Sequence, residues 1–326
     1  MAKTLNRIRE RSVLAALGAA VGMFALGCSV DSVVSPDVTS AFGVGTGLHA
    51  ISVGSLDRSY LLHIPKLRPM TSSGALLAYP LIIVLHGSSG SADDIRATTN
   101  MDSVSEANRT IVAYPNGVGG GGGLYPTDWN AGTCCGAASR EGIDDVGFIK
   151  AVLAEISAKM PIDARRVYVV GFSDGGRMAY RLACELSTQI AAIGVVSGSL
   201  KADDCAPAKS VAVLAIHGTD DPIVPIDDDA DTQPSTSVSP MAESMPPSVQ
   251  FWISADGCND GTQTSVSGRV DLTAFAPCRG SDVAFYSLSG GLHSWPVLTD
   301  ATSDDPDQAF SATAVIADFF RHHRLK

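Results

Sequence analysis

Residues 168–180 read "YVVGFSDGGRMAY". An apolar run ends at Gly171, one serine stands between glycines, and a helical pattern begins just after Asp174. A strand that turns sharply into a helix at G-x-S-x-G has the form of a nucleophile elbow. Glycines suit it because side chains flanking so tight a turn would clash. The helix N-terminus adds free N–H groups and a positive dipole end beside Ser173, where negative charge is favoured. A plain strand-to-helix turn with an incidental serine has the same local form, so the surrounding chain decides between them.

That surrounding chain alternates strand and helix signals. "LIIVLHG" (81–87), "RTIVAYP" (109–115), "RRVYVVGFS" (165–173), "AAIGVVSG" (191–198), "VAVLAIHG" (211–218) and "VAFYSLSG" (283–290) are nearly continuous apolar runs. This is the pattern of strands covered on both faces. "HAISV" (49–53) and "SYLLHIP" (59–65) predict an opening hairpin. Residues 144–160, 175–186 and 311–323 have helical periodicity, and Asp144 and Asp145 fall where they would cap the first of these helices. The alternation predicts an α/β fold built on a mostly parallel central sheet flanked by helices. Residues 116–139 and 226–248, rich in Gly or in Pro, Ser and Asp, read as loops. In such a sheet, loops beyond the strand C-termini carry the binding surface.

A serine attacks only when a base takes its proton and an acid orients that base. On this fold the chain order is Ser, then Asp or Glu, then His. "AIHGTDDPIVP" (215–225) follows a strand and offers Asp220 and Asp221, which the residues alone do not separate. "LSGGLHSWP" (288–296) follows the last strand and offers His293. His217 precedes the acid, and His322 and His323 lie on the terminal helix, so neither position suits the base. An oxyanion needs N–H donors as well. The "VLHGSSGSADD" loop (84–94) offers the backbone of Ser88 or of Gly87, and the elbow offers that of Asp174. Since only its backbone is needed, the Asp174 side chain is expected to be free to vary. Trp295, two residues after His293, and Trp129 are candidate walls for an aromatic or sugar ring, with a packed core tryptophan as the alternative for each.

The N-terminus reads as an address rather than as fold. Lys3, Arg7, Arg9 and Arg11 precede an apolar run from Val13 to Leu26, the layout of a signal peptide over residues 1–27. It ends in "ALGC", which resembles the bacterial lipobox, with Ala25 where Leu is usual. That resemblance implies lipidation at Cys28, with ordinary signal cleavage as the alternative. Residues 28–45 then form a small, polar tether, and residues 46–326 a single domain. The full chain carries a net charge of −11. Removing the four basic residues and one acidic residue of the signal leaves 19 basic against 33 acidic, a net charge of −14. An acidic chain is a poor partner for nucleic acid or an anionic membrane surface. Membrane association is therefore expected only through the lipid.

Beyond Cys28 the chain has Cys134, Cys135, Cys184, Cys205, Cys258 and Cys278. An even count in an exported chain predicts disulfides. Cys258 and Cys278 flank one short polar segment and are expected to pair, whereas the adjacent Cys134 and Cys135 are expected to bond to two different partners. No C-x-x-C pair with histidine spacing is present, so no metal site is expected.

"VLHGSSGSADD", "YPNG", "WNAGTCCG", "DDVGFI", "RRVYVVGFSDGGRMAYRLACE", "HGTDDPIVP" and "GGLHSWP" together resemble the feruloyl esterase and polyhydroxybutyrate depolymerase-like family. These are α/β-hydrolases related to the first carbohydrate-esterase family, and the likeness is collinear over residues 45–323. The resemblance implies Ser173 as nucleophile, His293 as base and, because the family's acid precedes the proline of its Asp-Pro pair, Asp221 as acid. It implies no metal or organic cofactor. Its substrates would be feruloyl or acetyl esters of plant polysaccharide, with a short aliphatic polyester as the alternative. Leu292 and Val297 stand where the family often has glycine, and Asp174 stands where Asn or Ala is common. A serine peptidase of similar fold usually carries a propeller or large cap, for which the 299 residues after the signal leave no room. A non-catalytic surface-binding lipoprotein is the reading from a different class.

Overall fold

The apolar runs pair with one another in register. In the computed structural model, which describes residues 42–119, 127–228 and 239–326, the strands are β1 (Gly45–Val53), β2 (Leu56–Ile64), β3 (Tyr79–Leu85), β4 (Ile111–Pro115), β5 (Val118–Gly119), β6 (Thr127–Asp128), β7 (Ile162–Phe172), β8 (Ala192–Val196), β9 (Ala212–Gly218), β10 (Gly261–Ser267), β11 (Val270–Phe275) and β12 (Val283–Leu288). The helices are α1 (Ala92–Thr99), α2 (Met101–Asn108), α3 (Gly136–Arg140), α4 (Asp145–Lys159), α5 (Asp174–Glu185), α6 (Pro240–Glu243), α7 (Pro247–Ala255), α8 (Pro306–Ala309) and α9 (Ala312–His322). The expected signal peptide, the Cys28 lipidation site and most of the tether lie outside the described residues. Phe42, expected in the tether, is buried against the His49 ring and beneath the Lys159 ammonium, so packed structure begins before residue 46. No helix among the described residues is long and apolar enough to cross a membrane.

Ten strands form one sheet in the order β1-β2-β4-β3-β7-β8-β9-β12-β11-β10. The six inner strands, β4 to β12 in that order, are parallel, and an antiparallel hairpin closes each edge. Alternate side chains of an inner strand enter opposite faces. On β7, Val167 and Val169 join α4, α5 and α7 on one face, while Tyr168 and Val170 join α1, α2 and α9 on the other. Each aliphatic side chain so buried contributes about 1.5–3 kcal/mol. That double cover explains why the inner strands read as continuous apolar runs, and it fixes their C-terminal ends along one edge.

Several features depart from expectation. The β10–β11 hairpin has no apolar run on β10, "GTQTSVS", whose residues are mostly exposed at the sheet edge. The two segments read as loops contain β5, β6 and α3, and α6 with the start of α7. Finally, Cys134 and Cys135 bond to each other rather than to two partners. The reason is that Cys184–Cys205 and Cys258–Cys278 already pair across 21 and 20 residues, each within one local excursion of the chain. Asp144 caps α4 as expected, accepting the Gly147 N–H at 2.7 Å. Asp145 does not: it is fully buried in an ion pair with Arg58 at 2.8 Å.

Candidate active site

Ser173 stands where β7 gives way to α5, with φ +56° and ψ −119°, a region that a side chain other than glycine rarely adopts. Its N–H is held by the Val196 carbonyl at 2.9 Å, and its own carbonyl accepts the first helical bond, from Arg177. A methyl group on Gly171 would overlap the Gly175 carbonyl, and one on Gly175 would overlap the carbonyls of Leu85 and His86. Strand, turn and helix therefore approach closely enough that the two flanking glycines are required, and the serine is held in a strained conformation at the sheet edge.

Two other loops at this edge meet it. His293, after β12, places Nε2 at 2.8 Å from Ser173 Oγ, and its Nδ1 lies 2.8 Å from Asp221 Oδ2. Asp221, after β9, is buried, and its Oδ1 accepts the N–H groups of Ile223 and Val224, both at 2.9 Å. His217 donates its Nε2–H to the Val224 carbonyl at 2.7 Å and lies 3.4 Å from Asp221 Oδ2. Burial alone would raise the Asp221 carboxyl. Hydrogen bonds from His217, Val224, His293 and Ile223 outweigh it and hold the carboxyl well below the usual carboxylate range. An ionised Asp221 keeps the proton of His293 on Nδ1 and leaves Nε2 as an acceptor for the serine hydroxyl. Asp220, by contrast, is exposed and bonded to Thr219, so the geometry separates two aspartates that the residues alone did not. His322 and His323, at the end of α9, bond to the Asp318 and Phe319 carbonyls, and His323 Nε2 also lies 3.3 Å from Asp282.

The Gly87–Ser88 turn after β3 lies against the same serine. A Cβ on Gly87 would sit 3.2 Å from Ser173 Cβ, tighter than ordinary contact. Among the described residues no acceptor takes the N–H of Gly87, Ser88 or Asp174, which leaves the elbow donor and either loop donor free to face a developing oxyanion.

The tryptophans are not walls of this site. Trp129 has no exposed surface; its backbone N–H goes to Asp174 Oδ2 and its indole N–H to the His86 carbonyl, both at 2.9 Å. Trp295 is 6% exposed and donates to Thr313 Oγ1 at 3.0 Å, packed in the cluster that holds Phe310 and Ile316. Both side chains are committed to the interior, so an aromatic near His293 in sequence is here a core residue. His86 is likewise structural. Its Nδ1–H donates to the Gly87 carbonyl, its Nε2 accepts from Gly117, and burial lowers its pKa and keeps it neutral.

The Asp174 side chain, expected to be free to vary, is 1% exposed and serves as the acceptor for Trp129, while its Oδ1 has no partner. Burial pushes its carboxyl up to about 7, against the pull of the Trp129 N–H. Between about pH 4 and 7 the folded protein holds a proton there that the unfolded chain releases, so this group's contribution to stability falls as pH rises through that window. The accumulated loss is on the order of 4 kcal/mol. Asp174→Asn keeps an acceptor but not the charge. Relative to the wild type it is expected to gain stability as pH rises from about 5 to 8, read from urea midpoints; a pH-independent difference would show that this carboxyl does not titrate in that range.

The sulfurs of Cys134 and Cys135 and the Asp174 carboxylate lie within 4.8 Å of one another. With the sulfurs bonded together they offer no thiolate to a metal, and the Arg177 guanidinium lies against both at 3.3 and 3.4 Å.

The chain was compared with known proteins. The family model for esterase PHB depolymerase matches residues 59–244, more than half the chain. A relative in Nocardia uniformis subsp. tsuyamanensis, "Putative esterase NocK", is 29% identical over 77% of this chain and 74% of its own. "Probable feruloyl esterase C" of Aspergillus terreus is 27% identical over 74% of this chain and 78% of its own. Among solved structures, a thermostable esterase superposes with a TM-score of 0.52 at 14% identity, over 86% of this chain and 63% of that one, a likeness of fold. An elbow on a doubly covered parallel sheet, read with these matches, assigns the chain to the esterase PHB depolymerase family of α/β-hydrolases, as a carboxylic-ester hydrolase.

Proposed function

We propose that the protein works as a serine esterase through an acyl-enzyme, with Ser173 as nucleophile, His293 as base and Asp221 as the acid that orients it. The observation that carries this is the unbroken relay Ser173 Oγ–His293–Asp221, with both links at 2.8 Å. His293 Nε2 takes the hydroxyl proton as Oγ bonds to the ester carbonyl carbon, and the carbonyl electron pair moves onto oxygen, facing the N–H groups of Ser88 and Asp174. Collapse breaks the bond to the alkoxide, which leaves with the proton from His293. Water then repeats the sequence and releases the acid.

For substrate, the feruloyl esterases among the relatives favour a feruloyl ester, and we place it, or an acetyl ester, on plant polysaccharide. A second reading has a specific observation behind it. Ile223, Leu292, Val297 and Leu298, on the loops that carry the acid and the base, are 47–66% exposed, an apolar group better suited to an aliphatic polyester than to a glycan. Comparing kcat/KM for methyl ferulate and for a 3-hydroxybutyrate trimer decides between them. Ferulate is expected to win; preference for the trimer would transfer the assignment to a polyester. The reading also includes export by the residue 1–27 signal, attachment through Cys28 and one catalytic domain beyond the tether. Its test is incorporation of labelled palmitate by wild type and not by Cys28→Ala.

A further inference from the structure

The two proposed oxyanion donors lie on separate loops, one after β3 and one at the start of α5, and a single short segment is hydrogen-bonded to both. The Thr127 carbonyl accepts the Ser89 N–H at 2.7 Å, and Thr127 Oγ1 donates to the Gly90 carbonyl at 2.5 Å. Next, the Asp128 carboxylate accepts the Ser88 hydroxyl through Oδ1. Trp129 then reaches both sides, its indole N–H holding the His86 carbonyl and its backbone N–H holding Asp174 Oδ2, each at 2.9 Å. Asp128 is 5% exposed and Trp129 is fully buried, so the two Trp129 bonds do not compete with solvent and the acceptor of the exposed Ser88 hydroxyl is itself shielded. The segment is itself anchored from behind, because Cys135 N–H donates to the Trp129 carbonyl at 3.0 Å and Asn130 N–H donates to Asp145 at 2.8 Å.

We infer that Asp128 and Trp129 are positioning residues that set the distance and angle between the two oxyanion donors. The inference rests on the assignment of Ser88 and Asp174 N–H to that role. Neither side chain reaches the reacting atoms; each acts through a loop that does. An oxyanion hole contributes only when its donors are already aimed at the position the oxyanion will occupy, and displacements of about 1 Å cost on the order of 100-fold. A brace between the loops should therefore act on the transition state and leave ground-state binding alone.

The test uses the full chain with Ser88→Ala, Asp128→Ala, Asp128→Asn and Trp129→Phe. Ser88→Ala keeps the backbone N–H and alters only an exposed side chain, so it reports even where Trp129→Phe folds poorly. The expected result is a kcat lower by about 10- to 100-fold with KM within about twofold, and an equal weakening of inhibition by an aryl trifluoromethyl ketone, whose serine adduct carries the oxyanion. Asp128→Asn, which keeps an acceptor for the Ser88 hydroxyl, should recover most of what Asp128→Ala loses. The inference is overturned if Ser88→Ala and Asp128→Ala turn over like wild type while Ser173→Ala is inactive. It is also overturned if KM and melting temperature change together with ketone inhibition intact, the signature of a purely structural role. Full turnover by Ser173→Ala would instead remove the esterase reading beneath it.

Discussion

Ser173→Ala is expected to lower kcat by about 10⁵- to 10⁶-fold, because a triad acts as a unit and loses nearly everything when its nucleophile goes. His293→Ala should cost about as much, and the double variant no more than either single one. Asp221→Asn should cost about 10⁴-fold, since the amide cannot keep the His293 proton on Nδ1. The same substitution removes the most strongly depressed carboxyl at the site, one that stays ionised across the range in which activity is assayed. A fluorophosphonate, which phosphonylates activated serines with loss of fluoride, provides a readout independent of substrate choice. Wild type should be labelled, and Ser173→Ala should not. Labelling that survives in Ser173→Ala would place the nucleophile elsewhere. A set of independent, additive losses from the three single variants would show that the 2.8 Å relay does not operate as one.

Much of this site is legible in one dimension because its groups punctuate strands. Ser173, Asp221 and His293 each follow an apolar run directly, and once those runs are parallel neighbours their ends meet whatever the intervening loops do. What the chain hides is partnership at a distance. Asp128 and Ser88 are 40 residues apart and Arg58 and Asp145 are 87 apart; no spacing rule links a lone aspartate in a glycine-rich segment to a serine hydroxyl, or a helix-start aspartate to an arginine on an edge hairpin. The Asp174 side chain was hidden for the same reason, because its partner is a backbone N–H 45 residues away. Trp295 shows the opposite error. Two residues from the base is close in sequence, yet the chain turns there and sends the indole toward α9. Strand β10 escaped because an exposed edge strand has no apolar face to betray it, and α1 and α2 because each buries only two or three residues.

Arg58→Met should destabilise the protein by about 3–5 kcal/mol, through the charge it leaves behind rather than the one it removes. The Arg58 guanidinium donates to Asp145 at 2.8 Å and to the Asn116 carbonyl at 3.0 Å, and lies 3.9 Å from the centre of the Phe148 ring. Burial works against the charge on both partners, lowering the Arg58 pKa and raising that of Asp145, and their mutual attraction opposes it. Methionine fills much of the space over Phe148 but leaves the Asp145 carboxylate buried and uncompensated. The protein then recovers by protonating it, so the deficit should shrink as the pH falls, the direction expected for a carboxyl whose folded pKa lies above its unfolded one. Adding Asp145→Leu should restore part of the loss. It should not restore all of it, because Asp145 Oδ2 also accepts the Asn130 N–H at 2.8 Å, and an unpaired buried N–H costs about 1–3 kcal/mol. Denaturant midpoints at two pH values measure the single and double variants together. A loss for Arg58→Met that is the same at both pH values would mean that the pair contributes through packing alone. Asn130 follows Trp129 directly, so the double variant should also lose kcat while still folded, which ties a charge pair at the sheet edge to the alignment of the oxyanion donors.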